Sequence, residues 1–291
     1  MGHCHASLLI DRAVIRVGGG DARKFLQGLI TNDIGKAQGT GAIHAGLLSP
    51  QGKILFDFFV VDGGDGFLID VARVKAGELV KRLAFYRLRA QVEIGEEPSL
   101  AVAAAWGGTP RAPEGAIVFG DPRLAELGFR MLVHAGTSPS DLGCAAASED
   151  DYHDLRIALG VPEGGRDYQF GDAFPHEALF DQLNGVDFGK GCYVGQEVVS
   201  RMEHRGTARK RIVPVEGEAP LPSPGASIVA GGLPIGDLGS VSGNTGLALI
   251  RLDRAGEVLG AGNAIEVGGV KIALRQPRFA RFKIPIAGEV A

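Results

Sequence analysis

Phe188-Gly-Lys-Gly-Cys-Tyr-Val-Gly-Gln-Glu-Val-Val-Ser-Arg201 is the densest run of chemically capable side chains in the chain. Glycines at 189, 191 and 195 flank a lysine, a cysteine and a tyrosine, and a glutamine and a glutamate follow. Lys190 stands two residues from Cys192, close enough in sequence to lower a thiol pKa. A helix starting near Gln196 would aim its free backbone N–H groups at the same place. The same residues also read as a tight turn leading into a helix, with Cys192 as a small buried side chain. Local chemistry leaves both readings open. Just downstream, Arg201, Arg205, Arg209, Lys210 and Arg211 stand against a single acid, Glu203. Such a strip is either a solvated face or an anion site for carboxylates or phosphates.

Toward the N-terminus the periodicity is mixed. Residues 8–17 read as two short strands around a turn at Asp11-Arg12, and 43–48, 53–61 and 66–71 as further strands. Asp21 is placed to cap a helix running to about Asp33, with Phe25, Leu26, Leu29 and Ile30 on its buried side. Residues 73–88 set Val80, Leu83 and Phe85 among Lys75, Lys81, Arg82 and Arg87, the pattern of an amphipathic helix. Strands follow near 90–95, 99–106, 115–119 and 129–134. Ser148 and Asp151 have capping-box spacing ahead of a helix whose buried face is Tyr152, Leu155 and Leu159, stopped by Gly160 and Pro162. Residues 161–189 are loop-rich. From Ile212 onward no helical period is evident, and short β-like runs alternate with glycine-rich turns, as in a small barrel or sandwich. The expected organisation is an α/β region over 1–210, with room for two subdomains, and an all-β domain over 211–291.

Composition narrows the function classes. The chain has 291 residues, 34 acidic and 30 basic, with a net charge of −4. That balance gives no reason to expect a nucleic-acid partner. No apolar run approaches the ~20 residues of a membrane span, and no membrane partner is expected. Three widely spaced cysteines make no disulfide framework and suggest a reducing compartment. Met1 to Leu9 lacks the layout of a signal or transit peptide, so a cytoplasmic protein is expected. His3-Cys4-His5 is a metal-ligand cluster only on paper, because chain ends are poorly ordered, and no metal site is expected. The 45 glycines are about 15% of the chain, roughly twice the ordinary ~7%, and mark turns, bulges and close backbone approaches.

Lys190-Gly-Cys-Tyr-Val-Gly-Gln-Glu197, followed by Arg201, resembles the signature of the YgfZ family of folate-binding proteins. That family includes a mitochondrial branch that assists iron–sulfur cluster assembly. The resemblance extends through Asn184-Gly-Val-Asp-Phe188, Phe174-Pro-His-Glu177, Gly164-Gly-Arg-Asp167 and Tyr152 to Pro162. It also takes in Phe25 to Asp33 and Leu48 to Lys53, and so covers most of 21–215. Gly160-Val-Pro-Glu-Gly and Arg209-Lys-Arg211 are most similar to the mitochondrial-type branch.

The resemblance implies an α+β fold similar to the glycine-cleavage aminomethyltransferase, with a C-terminal β-barrel and domains around a central folate-binding hole. It implies tetrahydrofolate or a folate derivative as ligand, and iron–sulfur cluster assembly proteins or client iron–sulfur enzymes as partners. One suitably placed cysteine falls short of the three or four thiolates a cluster normally takes, so no resident cluster is expected. The family motif puts Lys190, Cys192, Tyr193, Gln196 and Glu197 at the functional centre, with Cys192 and Lys190 carrying the chemistry. Asp57, inside an apolar run, falls near the acidic pair of the aminomethyltransferases. It either faces the pterin or is a hydrogen-bonded strand residue. Arg156, Arg201 and Arg205 could take the glutamate tail, with ion pairing as the alternative, and Asn32 is a ligand or a helix cap. One departure stands out: Ala158 occupies the position where aminomethyltransferases tend to carry a glutamate. Two alternatives to an iron–sulfur role are a folate-dependent one-carbon transferase and a polyanion-binding or tRNA-modification-related module.

Overall fold

The computed structural model describes residues 4–39, 41–206 and 208–285. The chain divides into two compact units, Met1–Tyr152 with Leu183–Gln196, and His153–Gln182 with Glu197–Ala291. In order, the chain forms β1 (His5–Leu8), β2 (Arg12–Gly18), α1 (Ala22–Gln27), β3 (Ala42–Leu48), β4 (Ile54–Asp62), β5 (Gly66–Ala72) and α2 (Arg73–Arg87). Next come β6 (Glu93–Glu96), β7 (Leu100–Trp106), β8 (Ile117–Gly120), β9 (Phe129–His134), β10 (Ala145–Ala146) and the helices α3 (Glu149–Leu159) and α4 (Gln196–Arg205). The last elements are β11 (Lys210–Gly217), β12 (Ser227–Ala230), β13 (Leu233–Ser242), β14 (Thr245–Arg251), α5 (Leu252–Gly260), β15 (Ile265–Val267) and β16 (Val270–Leu274).

The first unit holds two five-stranded sheets, ordered β3-β4-β5-β2-β6 and β10-β1-β7-β9-β8. Strand alternation gives the first of these sheets two different faces. Phe56, Phe58 and Val60 of β4 join Ala45, Ile69, Val71 and Ile15 in a core closed by Leu26 of α1 and by Ala76, Leu79 and Leu83 of α2. Each large apolar side chain buried there contributes about 1.5–3 kcal/mol.

The opposite face is polar. His44, Phe59 and Asp70 are direct cross-strand neighbours on β3, β4 and β5. Arg130 of β9 reaches the Asp70 carboxylate from the other sheet and lies 3.3 Å from Asp121. Arg12 pairs with Asp70 at 2.6 Å, and Arg123 with Asp121 at 2.7 Å. Arg123 and Arg130 both donate to the Tyr152 hydroxyl, at 2.8 and 3.3 Å. The Arg130 guanidinium carbon sits 4.2 Å from the Phe59 ring centre. All of these charged groups are buried. Burial works against the Asp121 carboxylate, but Arg123 and Arg130 hold it below its ordinary range.

In the second unit the strands close into a barrel, β11-β14-β13-β12-β15-β16. Val213, Val215, Ile228, Ile235, Leu238, Ile250 and Ile265 fill it. The barrel strands begin at Lys210, yet the compact unit that contains them also takes in 153–182 and 197–209.

Several sequence expectations change. The helix expected to reach Asp33 stops at Gln27, and Ile30 bridges to Leu47 instead. The Asp21 carboxylate accepts from the Gln91 N–H and caps nothing. Helix α5 interrupts the segment expected to be all-β; the glycine inside it, Gly256, and the one that ends it, Gly260, hide the spacing of Leu252, Ala255, Val258 and Leu259. Cys4 and Cys144 form a disulfide, with Cα atoms 4.8 Å apart. Parallel pairing of His5 with Ala145 sets them side by side, although 140 residues separate them in sequence. Of His3-Cys4-His5, His3 lies outside the described residues, Cys4 is in the disulfide, and His5 stacks on Trp106.

The polar layer holds three guanidiniums against two carboxylates, so its members are not equivalent. Asp70→Asn leaves three buried cations facing one carboxylate and is expected to cost about 3–5 kcal/mol. Arg130→Met leaves two of each and is expected to cost clearly less. Urea unfolding of both variants checks the order, and equal losses would contradict it.

Candidate functional site

The signature loop belongs to the first unit and is tied to the segment after α1. Thr31 donates its hydroxyl to the Gly185 carbonyl at 2.6 Å, and the Asp187 N–H donates to the Thr31 carbonyl at 3.0 Å. Asn32 is buried; its Nδ2 donates to the His44 and Asn184 carbonyls at 2.9 and 2.7 Å. Asp187 pairs with Lys36 at 2.8 Å, and that hydrogen bond holds its carboxyl below the usual range.

Lys190 has a definite task. Its ammonium donates to the carbonyls of Gln27, Ile30 and Asn32 at 2.8, 2.6 and 2.9 Å. These lie at and just beyond the C-terminus of α1, where unpaired carbonyls favour a cation. All three ammonium protons are engaged, so Lys190 positions the loop that carries Cys192. Burial pushes Lys190 down to about 8, against the opposing pull of Asp33 and Asp187. The Tyr193 ring lies 5.2 Å from the ammonium, and burial with nearby Asp187 raises its phenol to about 12.

On the other side of the cysteine, Gly195 has φ +82°, and a Cβ there would come within 2.5 Å of the Ser49 carbonyl oxygen. Only glycine fits that approach. The Gln196 side chain accepts the Tyr193 N–H at 3.1 Å and so closes the start of α4. Cys192, between these two anchors, is a free and exposed thiol, which removes the reading of a small buried residue.

Beside this loop the first unit has a cleft of about 210 Å3 lined by Asn32, Lys36, Ala42, Ile43, His44, Pro122, Asn184 and Val186. His44 Nδ1 donates to the Leu183 carbonyl at 3.2 Å. Burial pushes its imidazole down to about 3, and the neighbouring Arg123 adds to the shift. Asp57 is a buried carboxylate on β4, opposite Gly46 of β3.

The remaining expected site residues lie in the second unit. Arg156 is 1% exposed and donates to His153 Nδ1, Asp167 and Ser240 at 2.9, 2.6 and 2.6 Å. A ligand carboxylate would have to displace one of these partners. Glu197, Arg201 and Arg205 are exposed on α4. Arg211 leaves the basic strip: it is buried and grips Asp181 through both oxygens at 2.8 and 2.9 Å. Sequence reasoning passed over the polar layer altogether, although Arg130 and Asp70 inside apolar strands were its visible sign.

The C-terminal segment, residues 209–282, matches the family described as CAF17, C-terminal beta-barrel domain. The human mitochondrial iron–sulfur cluster assembly factor IBA57 is 37% identical over 273 residues, covering 83% of this chain and 76% of the human protein. The mouse protein of the same name is 36% identical over 273 residues, covering 84% of this chain and 76% of its own length. The chain belongs to the IBA57 family. The resemblance read from Lys190–Glu197, including its mitochondrial-type leaning, is borne out. Among solved structures, the glycine cleavage system aminomethyltransferase T from Bartonella henselae superposes with a TM-score of 0.74 at 14% identity, over 96% of this chain and 87% of that one. The aminomethyltransferase-like fold expected from the signature is therefore the fold of this IBA57-family chain. The cytoplasmic expectation is corrected, because these named IBA57 relatives are mitochondrial proteins.

The depressed His44 makes stability pH-dependent. Between pH 6.5 and about 3 the unfolded chain holds a proton that the folded chain lacks, so stability falls as pH drops through that window. His44→Asn, which keeps a donor for the Leu183 carbonyl, is expected to flatten this part of the stability curve. Urea midpoints across the window test it, and an unchanged slope would remove His44 as the cause.

Proposed function

We propose that this chain assists the assembly or repair of iron–sulfur proteins, works with a bound tetrahydrofolate, and uses Cys192 in thiol chemistry with a cluster or with the protein receiving it. The observation that carries the reading is the placement of Cys192: an exposed thiol on a loop anchored by Lys190 before it and Gly195 after it. A fixed backbone presents the sulfur to a partner at little ordering cost. The curated relatives named as iron–sulfur cluster assembly factors support the same role.

With Cys4 and Cys144 joined, Cys192 is the one free cysteine of the three. Clusters are commonly held by about four thiolates, so the other ligands come from a partner and the contact is transient. Assembly proteins or client iron–sulfur enzymes are the partners this predicts.

For folate, the donor set of the first unit suits the pterin half. Asp57 offers a buried carboxylate of the kind that pairs with adjacent pterin donors. The bound cofactor would supply one-carbon or pterin redox chemistry, while Asp57 would hold and orient the ring. One-carbon transfer is the second reading. The shared aminomethyltransferase fold supports it, and Ala158 speaks against it.

Two measurements test the proposal. Cys192→Ser is expected to abolish rescue of iron–sulfur enzyme activities in a deletion strain while leaving the melting temperature unchanged; full rescue would sink the thiol role. Calorimetric titration is expected to show tetrahydrofolate binding that Asp57→Asn weakens by about tenfold or more, as loss of a charge-assisted hydrogen bond requires. No binding by the wild-type chain would overturn the folate half.

A further inference from the structure

Helix α2 carries apolar residues on two sides, and the first unit covers only one. Ala76, Leu79 and Leu83 face the core. Val74, Lys81, Phe85 and Leu88 recur at 7, 4 and 3 residues along the opposite side, which places them on one stripe. Phe85, read from sequence with the apolar set of Val80 and Leu83, is instead 74% exposed, and Val74 and Leu88 are each 90% exposed. Ile10, 71% exposed, adds an apolar tip near the start of the helix, where Arg73 holds its carbonyl at 2.7 Å. Leu88 also has φ +46°, a backbone conformation that disfavours any side chain but glycine's. A large apolar residue held outward at that cost points to use.

Along the helix itself the charge is predominantly positive, although Glu96 of β6 lies beside Gly77. Between Arg73 and Arg89 there are six cations and one acid, Glu78, which Lys75 neutralises at 2.7 Å. Arg73 is engaged with backbone carbonyls. Lys81, Arg82, Arg87 and Arg89 form no ion pair among the described residues.

We propose that this face of α2 docks peripherally on an anionic lipid surface. Val74, Phe85 and Leu88 enter the boundary between headgroups and acyl chains, and Lys81, Arg82, Arg87 and Arg89 meet the lipid phosphates. Basic helices with protruding apolar tips lie in such an interface, where apolar burial and cation attraction add. Val74, Phe85 and Leu88 stand out from the helix, each at least 74% exposed. A protein partner would have to supply a matching acidic groove, whereas a lipid surface accommodates both features without one. No described helix is long and apolar enough to cross a membrane, and lying on one requires no span.

The test is co-sedimentation of the full chain with vesicles of phosphatidylcholine mixed with phosphatidylglycerol, against vesicles of phosphatidylcholine alone. Binding is expected only to the anionic vesicles and should weaken with salt. Phe85→Ser/Leu88→Ser and Lys81→Glu/Arg89→Glu are each expected to weaken it by about tenfold or more, with an unchanged thermal melt. Equal pelleting with both vesicle types, or binding that neither double variant reduces, overturns the proposal. Absence of pelleting with anionic vesicles overturns it too, and if the same variants then lose rescue in cells the face belongs to a protein partner.

Discussion

The Asp70 carboxylate, clamped between Arg12 and Arg130, is the interaction on which most of the first unit depends. Charges so deeply buried are tolerated only when every partner is in place, because a missing one leaves an ion without solvent or counter-charge. The clamp therefore admits very few arrangements of β2, β5 and β9. Arg130 in turn stacks on Phe59, Phe59 lies against His44, and His44 Nδ1 holds the Leu183 carbonyl where the signature segment enters. Placement of the loop is thus inherited from an ionic layer between the sheets. This layer contributes specificity of arrangement more than net stability, since its desolvation cost offsets much of its attraction.

Within the loop, chemistry and geometry are divided among neighbouring residues. Lys190 is engaged with three backbone carbonyls, and Gly195 permits an approach that no other residue allows. Gln196 closes the first turn of α4. Cys192 is left to solvent. A thiol that must meet a visiting partner needs exposure, and one that must meet it reproducibly needs a backbone that does not wander.

What could be read from the sequence follows the range of the forces involved. The Ser148–Asp151 box is local, and its reciprocal hydrogen bonds are present. The strands of β4 and β5 announced themselves through β-branched and aromatic runs. The specific octapeptide identified the family, and the fold came with it. What escaped was long-range. The disulfide depends on which strands become neighbours, and the polar layer on which faces of two sheets meet. The outward turn of Phe85 depends on which side of α2 the core claims, which helical spacing alone leaves undecided when both sides carry apolar residues.

The reach of Lys190 bears on how far the octapeptide can travel. Its three acceptors lie 163, 160 and 158 residues earlier in the chain. The backbone that Gly195 must clear, at Ser49, is also remote in sequence. Grafted onto another scaffold, the eight residues would transplant a cysteine without its socket. The motif is one half of a lock whose other half is written near the beginning of the chain, and a reader or an engineer needs both to recognise or rebuild it.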